Sequence, residues 1–169
     1  MTTPRESPYR PPAELSELDP AEKRLGRFGT VLSALLINGG TAVLVGEVLA
    51  IAVLIPPLNR WFGMTGEFDG LIVIGMPIWA GGFSLLTGLV LGFTFPRRFA
   101  AAGAILLGWL TVAMFLFTSI RTTNRPSEWY ASLTVSGILV IALTIGVVVA
   151  KGVLRRINRL TITPPQQSQ

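Results

Sequence analysis

Apolar residues in this chain do not alternate with polar ones; they run together in four blocks, at about 28–55, 71–95, 99–120 and 129–150. Each block reaches the roughly 20 residues that a helix needs to cross a bilayer's hydrocarbon core at about 1.5 Å rise per residue. Blocks that are apolar on all sides predict helices whose outer faces meet lipid instead of water. The expected fold is all-α, an integral membrane four-helix bundle over residues 20–160.

Polar sequence lies at the ends. Residues 1–19 contain Pro4, Pro8, Pro11 and Pro12 and show no apolar period, so they are expected to be a disordered cytoplasmic tail. Asp19-Pro20-Ala21-Glu22 reads as a helix start, with an N-cap acid and proline in the first turn. Pro56-Pro57 closes the first block. That block is too long for the apolar core of a secretory signal and is read as retained. Pro77 should bend the second block. Residues 151–160 interleave Lys151, Arg155, Arg156 and Arg159 with Val153, Leu154, Ile157 and Leu160. They are expected to extend the fourth helix along an anionic inner leaflet. Residues 161–169 form a second disordered tail.

Charge sets the expected sidedness. Of fourteen Lys and Arg, eleven fall in the N-terminal tail, the turn at Arg97-Arg98 and the C-terminal end. Arg60, Arg121 and Arg125 fall on the other side. The positive-inside rule then places both termini in the cytoplasm. The net charge of +5 follows from this retention, and no nucleic-acid partner is implied. Trp61, Phe62, Trp129 and Tyr130 would lie at the outer headgroup layer, and Phe28, Phe95 and Phe99 at the inner one.

Only 14% of residues are charged, against about 25% in an ordinary soluble domain. Cysteine and histidine are absent. Disulfides, thiolate sites, lipidated cysteines, usual zinc and haem ligation, and Ser-His or Cys-His nucleophiles are therefore excluded. No catalytic residue, cofactor or metal ligand is assigned, and the chain is read as a non-enzyme. Glu67 and Asp69 in the outer loop are read as solvated charge.

Two features inside the blocks bear on function. Glu47 is the only charged residue within a span, and a carboxylate there is a site hypothesis by default. It shares a helical stripe with Ser33, Leu36, Gly40, Val43, Ala50 and Leu54. It is either a proton or cation site or a group that binds a basic ligand, or else a structural carboxyl, neutral or paired with Arg121 or with hydroxyls such as Thr87 and Thr118. Asn38-Gly39-Gly40-Thr41 is either a midplane helix break of the kind transporters use, with Asn38 and Thr41 as ligands, or an ordinary close-packing glycine pair.

Small residues recur every four positions: Gly88 and Gly92; Ala100, Ala104 and Gly108; Ala142, Gly146 and Ala150. Such stripes support helix packing, within one chain or between chains. Trp109, mid-span, is expected to pack within the bundle.

Ser7-Pro8-Tyr9-Arg10-Pro11-Pro12 resembles the Asn/Ser-Pro-Tyr-x-Pro-Pro tail that precedes the first span of many small, uncharacterised bacterial polytopic membrane proteins. The resemblance covers six residues, implies a bacterial inner-membrane location and transfers no functional residue. The expected role is a structural or accessory subunit of a membrane complex, or a self-associating bundle using the small-residue faces. The competing expectation is a small ion- or proton-coupled transporter or channel using Glu47.

Overall fold

In the computed structural model, residues 20–55, 69–122 and 126–162 are described. The expected N-terminal tail, the Asp19 cap, Trp61, Phe62, Glu67 and residues 163–169 lie outside them, whereas residues 161–162 of the expected C-terminal tail are helical. Apart from Ile55 and the turn at 95–99, every described residue is helical. The helices are α1 (Pro20–Leu54), α2 (Asp69–Thr94), α3 (Ala100–Thr122) and α4 (Pro126–Ile162). All four contain a segment long and apolar enough to cross a membrane.

Local chemistry explains the ends. Proline opens α1 and α4, where the missing N–H has no helical partner to lose. α1 stops just before Pro56-Pro57. α2 ends at Thr94, two residues before Pro96, and a tight turn follows. There Arg97 N donates to Thr94 O at 2.9 Å and Ala100 N donates to Arg97 O at 3.2 Å. The Phe95–Pro96 peptide is cis. α4 passes Ala150 without interruption, so the basic segment is one helix with the fourth span and reaches two residues beyond position 160. Pro77 lies inside α2 without ending it.

α1 packs on α2 and α4, α3 packs on the same two, and α2 touches α4 across the middle. Among the described residues α1 and α3 share no contact. The cross-section is therefore a rhombus with α2 and α4 on its short diagonal.

All eight stripe residues are buried between helices of this one chain. At Gly92 an added Cβ would stand 2.8 Å from the Val31 Cα, so glycine is what lets α2 approach α1 backbone to backbone. Self-association, if it occurs, must use other surfaces.

The interior has two apolar layers. One gathers Ala50, Ile72, Met76, Val112 and Leu139. The other gathers Ala34, Leu91, Ala104, Val147 and Leu154. The larger apolar side chains point outward: Leu36, Leu44, Ile74, Ile78, Phe93, Leu110, Met114 and Phe117 are each more than half exposed. Polar Asn38, Ser84, Thr87 and Ser136 are buried. This is the reverse of the distribution expected in water.

Candidate functional site

Between the two apolar layers lies a polar joint. Asn38 on α1 is fully buried, flanked one turn away on either side by buried Ala34 and Ala42. Its Nδ2 donates to the Ser84 carbonyl and to Thr87 Oγ1 on α2, both at 2.8 Å. Thr87 Oγ1 in turn reaches the Ser84 carbonyl of its own helix at 3.2 Å, and Ser84 Oγ donates to Gly81 O at 2.8 Å. Both amide hydrogens of Asn38 are therefore used, and they tie α1 to α2.

The other two helices meet the joint with glycine. A Cβ on Gly146 of α4 would lie 2.6 Å from Asn38 Oδ1 and 3.0 Å from Asn38 O. A Cβ on Gly108 of α3 would lie 2.9 Å from the Thr87 methyl. Asn38 Oδ1 is buried without a hydrogen-bond partner and faces the Gly146 CH2, which is at most a weak donor. Three helices thus meet at one carboxamide, and the fourth packs on its partner Thr87.

Of the two alternatives for Asn38-Gly39-Gly40-Thr41, the helix break does not occur. α1 is continuous through Asn38-Gly39-Gly40-Thr41. In apolar surroundings a broken turn would leave carbonyls and amides without partners, and that penalty outweighs the flexibility of two glycines. Thr41 is half-buried and takes no part in the Asn38 hydrogen bonds.

Glu47 is half-buried, with Oε2 enclosed and unpartnered. The partners expected for it are engaged elsewhere. Thr87 belongs to the Asn38 joint, Thr118 Oγ1 donates to Met114 O at 2.7 Å, and the Arg121 guanidinium stands 6.0 Å from the Phe117 ring centroid. Thr118 and Arg121 are on α3, which α1 does not touch. Nine residues separate Glu47 from Asn38, about 13 Å along the axis and half a turn around it. The two do not form one site. Leu36 and Gly40 on the Glu47 stripe are exposed, so this carboxyl sits at the margin of the bundle, not in a small-residue pocket.

Trp109 also departs from expectation. It is about half exposed on the outer surface, and its Nε1 donates to Thr144 Oγ1 at 3.1 Å, linking α3 to α4. Ser119 and Ser132 hydroxyls make a second α3–α4 link at 2.8 Å.

Sequence reasoning singled out Asn38 but not its partners. Counting depth from Phe28 and Phe95, at the same expected interface, puts Asn38 and Thr87 near one level, a signal that was available. Ser84 lies three residues from Thr87, on the same face. Among the described residues, no three Asp, Glu, His or Cys side chains converge. No protein-family model matches this chain, and neither a curated protein nor a solved structure shows significant similarity to it.

Proposed function

We propose that this chain is a multi-pass protein of the bacterial cytoplasmic membrane, with both termini in the cytoplasm. It acts there as a non-catalytic structural or accessory subunit of a membrane complex. The observation that carries the reading is the inverted exposure: large apolar side chains outside, the Asn38 joint inside. Lipid is the solvent in which that arrangement is stable, because apolar side chains lose nothing by facing it and a buried carboxamide must find partners.

The interior supports an accessory role over a conducting one. Its polar groups join helices, and Gly92, Gly108 and Gly146 sit where an added methyl would collide. Partner proteins would dock on the outward faces of Leu36 and Leu44 on α1 or Leu110, Met114 and Phe117 on α3. The test is affinity purification from native membranes in mild detergent. A defined stoichiometric partner is expected; a chain that remains monomeric and alone at every detergent concentration overturns the subunit role.

One observation favours a second reading. Glu47 Oε2 is enclosed without a partner, as a proton- or cation-binding carboxyl would be. In liposomes, ion or proton flux that Glu47→Gln abolishes would establish transport. Equal flux from wild type and variant would eliminate it.

A further inference from the structure

From position 70 to 127, and again from 129 to 169, the chain contains no acidic residue. Two basic residues in those stretches nevertheless meet at one end of the bundle, one through its side chain and the other through its backbone. Lys151 Nζ on α4 donates to the Arg98 carbonyl in the α2–α3 turn at 3.1 Å. Arg97 and Arg98 are exposed in that turn. Arg155 is exposed one helical turn beyond Lys151, on the same side of α4. Leu154, buried in the layer that contains Ala100 and Ala101, fixes how this part of α4 sits against the start of α3.

Four basic residues thus lie around one joint, next to the positive end of α3, with no acidic residue in the turn or in α4 beyond Glu128. Exposed Phe99 and Val153 adjoin them, which sets the group at the boundary between apolar and polar surface. An anion placed among them would offset their mutual repulsion.

We propose that the α2–α3 turn and residues 151–155 of α4 form a composite clasp for the phosphate of an anionic phospholipid, held by Arg97, Arg98, Lys151 and Arg155. The proposal rests on the membrane reading above and narrows it from a basic C-terminal segment to a site that needs both elements. The Lys151 ammonium keeps two donors after its bond to the Arg98 carbonyl, and each guanidinium offers a fork that fits phosphate oxygens.

The full-length protein, reconstituted in nanodiscs of phosphatidylcholine containing phosphatidylglycerol, provides the test, with retained lipid counted by native mass spectrometry. R97Q/R98Q and K151Q/R155Q are each expected to weaken phosphatidylglycerol retention by about a hundredfold or more, as loss of two charge-assisted hydrogen bonds would. R27Q/R156Q, also basic residues of the inner side but off the clasp, is expected to change it by no more than about thirtyfold, the ordinary surface attraction of two charges. Equal losses in all three pairs, or loss on changing α4 but not the turn, overturn the composite site. So does displacement of the lipid by millimolar inorganic phosphate, which would mark a site for a soluble anion. Failure of the membrane reading looks different: the wild-type chain would then leave membranes on alkaline extraction.

Discussion

Asn38 ties α1 to α2 through two side-chain hydrogen bonds, and a carboxamide in apolar surroundings has few alternatives to the bonds it makes. Asn38→Ala removes both donors to α2 and should destabilise the bundle by about 0.6–2 kcal/mol, the range for such bonds between membrane helices. Gly146→Ala acts on the same joint from the opposite side. Its methyl would stand 2.6 Å from Asn38 Oδ1, and the overpacking should cost about 1–3 kcal/mol. Gly82→Ala is the matched control: nothing lies within 4 Å of its Cβ, and alanine's better helix propensity should leave stability unchanged or raised by up to about 1 kcal/mol. Thermal unfolding in one detergent ranks the three. A Gly146→Ala variant as stable as Gly82→Ala would show that the joint is looser than described.

At the scale of the helices, the four spans and their ends were readable because hydropathy, proline and charge act locally along the chain. Which face of each helix turns inward was not. Apolar residues surround every span, so no amphipathic stripe distinguishes the side that meets α2 from the side that meets solvent. The small-residue stripes did point inward, but the same pattern would serve two chains as well as one. Gly39-Gly40 was the harder case. Its turn propensity is a property of water, where freed backbone groups find new partners; inside α1 they have none. Accordingly, amides at 40–45 should exchange with solvent as slowly as those at 46–50 when measured by hydrogen exchange in detergent. Rapid exchange confined to 40–45 would restore the broken helix and, with it, the case for a midplane binding site. Glu47 could be found from sequence alone, whereas its isolation follows from α1 and α3 sitting on the long diagonal, a fact of tertiary arrangement.

For the whole molecule, sidedness is the property from which the proposed clasp and the proposed partner-facing surfaces take their meaning. The positive-inside count favours cytoplasmic termini by eleven basic residues to three, with the Arg97-Arg98 turn on the same side as both ends. The absence of native cysteine makes the matter directly measurable, since any introduced thiol is the only one to label. Single variants Thr3→Cys, Thr65→Cys, Thr123→Cys and Ser168→Cys sample both tails and both segments on the opposite side. A membrane-impermeant maleimide added to intact cells should modify Cys only at 65 and 123, and disrupting the membrane should expose 3 and 168. Labelling of position 3 or 168 in intact cells would invert the topology. Arg97, Arg98, Lys151 and Arg155 would then face the outer leaflet, and a clasp for inner-leaflet phosphate would lose its ligand. The four-helix packing would survive that result unchanged, because the rhombus and the Asn38 joint depend on contacts between helices and not on which side of the bilayer each end meets.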